Sequence, residues 1–143
     1  MITGAHHVAI SVRSLEDSIS FYRDKMELEV LAPSFPFGGE MIEDIQGLKD
    51  ARGRMCVMRK GNFMLELFEY EAPTPAAKDP NYSVGDRGIS HFGLQVEDIE
   101  NTVERMRNAG VRFHSEVKTF PSGMKAAYGR DNDGNVFELL EMS

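Results

Sequence analysis

His7-Val8-Ala9-Ile10-Ser11-Val12-Arg13-Ser14-Leu15-Glu16 returns, class for class, as His91-Phe92-Gly93-Leu94-Gln95-Val96-Glu97-Asp98-Ile99-Glu100. A second pair closes each half: Met64-Leu65-Glu66-Leu67-Phe68-Glu69 against Val136-Phe137-Glu138-Leu139-Leu140-Glu141. The chain is therefore a duplicated unit whose halves each open on a histidine and close on a glutamate. Both opening stretches alternate with period two, as half-buried strands do. Val8, Ile10 and Val12 form one face and His7, Ala9 and Ser11 the other. In the repeat, Phe92, Leu94 and Val96 stand opposite His91, Gly93 and Gln95. The small residues beside each histidine leave room, as a cavity wall requires.

Each strand runs into a helix. Ser14 with Asp17 forms a capping signal ahead of Leu15, Ile19, Tyr22 and Met26 at helical spacing. Asp98 caps the second helix, Ile99, Val103 and Met106 form its stripe, and Gly110 stops it. Strands over 54–59 and 64–70 flank the turn Lys60-Gly61-Asn62. Strands over 125–130 and 135–141 flank Asp131-Asn132-Asp133-Gly134, a tight turn without the spacing of a calcium loop. Each half thus reads as strand, helix and about three strands. The His-to-Glu interval is longer in the first half, and the additional residues belong in 31–53. There, Pro33-Ser34-Phe35-Pro36-Phe37-Gly38-Gly39 reads as loop, of the kind that forms lids or substrate contacts.

Bulk composition narrows the function. With 143 residues, 41% hydrophobic and 27% charged, the chain suits a single domain over 1–143: module 1 at about 4–70, a linker at about 71–88, and module 2 at about 89–143. A net charge of −7, with no basic patch, argues against nucleic acid or an anionic membrane as partner. No apolar run has transmembrane length, the N-terminus lacks a signal-peptide layout, and the lone Cys56 excludes an intrachain disulfide. The expected setting is cytoplasmic.

In the closing strands, Glu66 shares a face with Met64 and Phe68, and Glu138 with Val136 and Leu140. If the leucine faces meet the helices, two imidazoles and two carboxylates converge on one concave side. Carboxylates taken out of water need a partner, and no matching pair of basic residues exists at these positions. Two His and two Glu suit a divalent ion such as Zn, Ni, Co, Mn or Fe(II). His6 projects to the opposite face and reads as structural or surface, and His114, with no partner in the repeat, as an exposed strand residue. Glu69 and Glu141 fall on the face away from the site and read as solvated strand-end charges. Tyr128 and Arg130 are either substrate contacts or edge-strand residues.

These motifs, with Ser90-His91-Phe92-Gly93-Leu94-Gln95-Val96 and Asp131 through Leu139, resemble the vicinal oxygen chelate superfamily over nearly the whole chain. That superfamily includes glyoxalase I, methylmalonyl-CoA epimerase, extradiol dioxygenases, and the fosfomycin and bleomycin resistance proteins. The resemblance implies an α+β fold of two tandem βαβββ modules forming a half-open β-barrel with the helices outside. It implies His7, Glu66, His91 and Glu138 as metal ligands, a small oxygenated substrate, and a homodimer. Extradiol dioxygenases use two His and one Glu, and the family's epimerases tend to carry Gln at the position of Glu66. A fourth ligand here resembles bacterial glyoxalase I. A metal-dependent lyase or isomerase is expected, working by proton abstraction beside a carbonyl with Glu138 or Glu66 as base and Glu43 a weaker candidate. An Fe(II) extradiol-type dioxygenase and a small-molecule-binding resistance protein are the alternatives.

Overall fold

Burial alternates along the two closing strands as the repeat requires, and this sets the two faces of each sheet. The computed structural model describes all 143 residues, which divide into two units, Met1–Ala77 and Lys78–Ser143.

The first unit runs β1 (Val8–Ser11), α1 (Leu15–Asp24), β2 (Glu29–Gly38), α2 (Glu40–Gln46), β3 (Arg52–Lys60) and β4 (Phe63–Ala72). Its open four-stranded sheet has the order β1-β4-β3-β2, with β1 parallel to β4 and the other pairs antiparallel. Val8 pairs with Leu65, Ala9 with Glu66 and Ile10 with Leu67. Leu65, Leu67, Cys56 and Met58 are fully buried on the face that α1 covers. Burying each of the two leucines stabilises the unit by about 1.5–3 kcal/mol. The Ser14 hydroxyl accepts the Asp17 N–H at 3.2 Å, the expected cap. The buried stripe of α1 is Leu15, Ser18, Phe21 and Tyr22, with Ile19 and Met26 only half-buried. The buried stripe is therefore rotated toward Ser18 and Phe21, away from Ile19.

One expectation is corrected. Residues 33–38 belong to β2 and pair with β3: Phe35 with Met55, Pro36 with Arg54 and Phe37 with Gly53. Two prolines are compatible with this strand because β2 is an edge, where only the N–H groups that face β3 have a ladder partner. Register shifts between Val30 and Ala32 and between Ala32 and Phe35 absorb the irregularity. The short helix α2 follows and buries none of its residues. Cys56 is buried, donates to the Ala32 carbonyl at 3.4 Å, and has its thiol pKa pushed up by burial.

The second unit runs β5 (Phe92–Gln95), α3 (Ile99–Asn108), β6 (Arg112–Phe113), β7 (Lys118–Thr119), β8 (Lys125–Arg130) and β9 (Val136–Glu141). Its open sheet has the order β5-β9-β8-β6, with β7 also paired to β8, and β5 parallel to β9. Strand β8 is thus interior, so Tyr128 and Arg130 are not edge residues. Asp98 accepts the Asn101 N–H, and Ile99, Val103 and Met106 are buried against β8 and β9. Gly110 adopts φ 86°, a left-handed conformation that stops the helix at little cost for glycine. The segment from Lys78 is tied into this unit. Arg130 donates to the carbonyls of Tyr82 and Gly134, and the Tyr82 hydroxyl accepts the Val136 N–H. No helix of the chain is long and apolar enough to cross a membrane.

Candidate metal centre

Glu66 sits mid-strand in β4, held between buried Leu65 and Leu67, so its side chain leaves on the opposite face. His7 lies one residue ahead of β1, and its Nε2 stands 3.6 Å from Glu66 Oε2. The second unit repeats this. Glu138, between buried Phe137 and Leu139, brings Oε2 to 3.3 Å from His91 Nε2. Both carboxylates are largely covered, with side chains 20% and 16% exposed, so solvent satisfies them poorly.

The pairs fit a cation. Two donors bound to one ion at roughly 2.0–2.2 Å stand about 2.8–3.6 Å apart at octahedral to tetrahedral angles. The observed separations, 3.6 Å and 3.3 Å, lie within that span. The imidazoles are also held from behind. His91 Nδ1 contacts the Ser90 hydroxyl at 2.8 Å, leaving Nε2 toward Glu138, the arrangement that orients metal-ligating histidines. His7 Nδ1 lies 2.9 Å from His6 Nδ1, so the exposed His6 backs its neighbour. Each half supplies two donors, and nowhere in the chain do three or more His, Cys, Asp or Glu side chains gather around one point.

Tyr128 completes the second pair. It lies across the ladder from Glu138, its hydroxyl is 3.2 Å from His91 Nε2, and its ring is 4.6 Å from the imidazole. Burial and, next, the Glu138 carboxylate push its pKa up, so it is a hydroxyl donor at neutral pH. His114 is exposed, as expected, but leans toward the same ring at 6.2 Å. Burial and the charges of Arg130 and Arg112 push its pKa down. Glu43 lies on α2 and is half-buried.

Glu69 and Glu141 are not solvated strand-end charges. Glu69 Oε2 accepts the Leu15 N–H at 2.7 Å, and Glu141 Oε2 accepts the Ile99 N–H at 2.8 Å. Each carboxylate thus closes the first N–H of a helix that packs on its own sheet, where helix polarity favours negative charge. Glu141 is held below the usual carboxylate range by the Ile99 N–H first and by Lys125 next. The repeated Glu-Leu-x-Glu therefore carries a histidine-paired glutamate on one face and a helix cap three residues on.

A model of the Glyoxalase/Bleomycin resistance protein/Dioxygenase superfamily matches residues 4–139. The chain belongs to this superfamily. A 2-epi-5-epi-valiolone epimerase from an Actinomyces species is 30% identical over 122 residues, covering 82% of this chain and 66% of the epimerase. The chain thus spans just under two thirds of that relative's length. A probable lactoylglutathione lyase from Synechocystis is 27% identical, covering 96% of this chain and 94% of the lyase. Among solved structures, a glyoxalase family protein from Bacillus cereus superposes with a TM-score of 0.89 at 24% identity, covering 100% of this chain and 97% of that one. That likeness establishes the superfamily's fold.

Proposed function

We propose that the chain is a divalent-metal-dependent isomerase or lyase that moves a proton on a carbon next to a carbonyl. The observation that carries this reading is the duplicated His–Glu pair: His7 with Glu66 and His91 with Glu138, each at a separation suited to shared coordination. Each pair supplies two of the four donors in the proposed ligand set. The superfamily contains an epimerase and a probable lyase among this chain's relatives, and both names fit carbon-centred proton chemistry. A bound Zn, Ni, Co, Mn or Fe(II) ion supplies Lewis acidity for negative charge on substrate oxygen.

The residues do the rest. Glu138 or Glu66 accepts the proton alpha to the carbonyl, and the C–H electron pair moves toward the carbonyl oxygen. The same carboxylate then returns the proton to the neighbouring carbon, which isomerises the substrate, or the other carboxylate delivers a proton to the opposite face of the first carbon, which epimerises it. Such assistance contributes about 10²–10⁴-fold in rate. Tyr128, kept as a hydroxyl, offers a hydrogen bond within reach of the same face. The substrate is a small oxygenated molecule, and a homodimer is the proposed assembly.

Metal content per chain, measured on purified protein and on His91→Ala, tests the ligand set. Stoichiometric divalent metal lost in the variant is the expected result. Deuterium uptake from solvent into 2-oxo or 2-hydroxy compounds tests the reaction. Unchanged metal in His91→Ala overturns the proposal. Oxygen consumption with catechols on Fe(II)-loaded protein would instead identify a dioxygenase.

A further inference from the structure

Beside the His7–Glu66 pair, the same face of the first sheet turns aromatic. Reading across the ladder, Glu66 stands in a row with Ala9, Val57 and Ala32, all small or medium side chains that leave space. The next positions along the same face hold Phe68, then Tyr70. Phe37 from β2 packs edge-on against both, at 5.3 Å and 5.1 Å between centroids, while Phe68 and Tyr70 lie 6.1 Å apart with planes inclined by 23°. All three rings are only half-buried.

Two observations show that this trio is not demanded by the fold. In the second module, the positions equivalent to Phe68 and Tyr70 are Leu140 and Met142, and that sheet forms without aromatic residues there. Phe37 comes from the longer segment that only the first module carries. It is also seated by a missing side chain: a Cβ on Gly53 would lie 3.0 Å from Phe37 Cε1 and 2.0 Å from the Glu69 carbonyl oxygen. The sequence gives up a side chain at Gly53 and gains an aromatic wall next to a donor pair.

Resting on the metal reading above, we infer that Phe37, Phe68 and Tyr70 form the specificity wall of the site, selecting substrates that carry an aromatic or other apolar ring beside their chelating oxygens. Alternate residues on one strand face are spaced roughly 7 Å apart, so the ring docks about one to two such steps from Glu66. A polar conjugate such as a glutathione adduct finds no charged partner on these three rings, whereas an apolar ring gains burial and edge-to-face contact there.

The test compares phenylpyruvate with pyruvate, titrated calorimetrically into full-length protein with and without Zn or Mn. Wild type is compared with Phe68→Leu/Tyr70→Met, the residues the second module uses, and with Phe37→Leu should the double variant fail to fold. Phenylpyruvate should bind at least about tenfold tighter than pyruvate. The variant should lose that advantage while retaining its metal content and its affinity for pyruvate. Equal binding of both probes by wild type, binding of neither, or an advantage that survives in the variant overturns the wall and leaves the metal reading standing. Binding of both probes that is unchanged by Zn or Mn, with the advantage still lost in the variant, keeps the wall and sinks the metal reading. A dimer that becomes a monomer in the variant, seen by sedimentation, assigns the trio to a subunit contact and overturns the inference.

Discussion

Glu66 and Glu69 lie three residues apart on β4 and face opposite ways, so identical substitutions should have opposite consequences. Glu69 accepts the Leu15 N–H at 2.7 Å in a partly buried setting. A hydrogen bond to a charged group is worth about 1.5–3 kcal/mol, and negative charge at a helix N-terminus about 0.3–1 kcal/mol. Glu69→Gln keeps an acceptor and loses the charge, so it should cost about 1 kcal/mol. Glu69→Ala leaves the amide to partial solvation and should cost about 2 kcal/mol. In a chain of this length each kcal/mol moves the midpoint by roughly 2–4 °C, which predicts losses near 3 °C and 6 °C. Glu66→Gln removes no cap, so the metal-free protein should keep its stability to within about 0.5 kcal/mol. Its metal affinity should fall by more than the roughly 10–100-fold typical of losing an outer partner. Urea and thermal unfolding of the metal-free proteins, with metal titration of each, read both quantities. Equal destabilisation by the two glutamine variants, or metal loss in Glu69→Gln but not Glu66→Gln, would refute the division of labour.

Ser90→Ala should weaken metal binding by about 10–100-fold, measured by competition with a chelating dye, because the hydroxyl orients His91 through Nδ1. Glu141 is held charged in the fold, so its contribution is present above the ordinary carboxylate pKa of about 4.3 and is lost as pH falls through the lower folded value. Glu141→Gln should therefore melt below wild type at pH 7, and the gap should close in acid, as calorimetry at both pH values will report. Gly53→Ala drives a Cβ to 2.0 Å from the Glu69 carbonyl oxygen and should destabilise by about 3 kcal/mol in urea titration. Gly4→Ala, with nothing within 4 Å, should change little.

Period-two alternation was enough to place Glu66 and Glu138 opposite the buried leucines and Phe137, because a strand's side chains alternate whatever surrounds it. The same logic put His7 and His91 on the face of Glu66 and Glu138, and the capping residues Ser14 and Asp98 could be read locally. Residues 33–38 were misread because proline and glycine signal a turn in isolation. Only the position of β2 at the sheet edge makes them compatible with a strand.

By itself, the sequence determined the duplication, the helix starts, and which residues share a face with each donor. Tertiary structure alone decided what those faces meet. The same alternation that turns Glu69 and Glu141 away from the donors says nothing of the helix N-termini waiting there, since Leu15 and Ile99 are far off along the chain. Nor does it bring Phe37 onto Phe68 and Tyr70, or Tyr128 onto His91. Side-chain direction is a local property of the backbone, whereas a side chain's partner depends on how distant segments pack, and that is where the caps, the aromatic wall and the tyrosine arise.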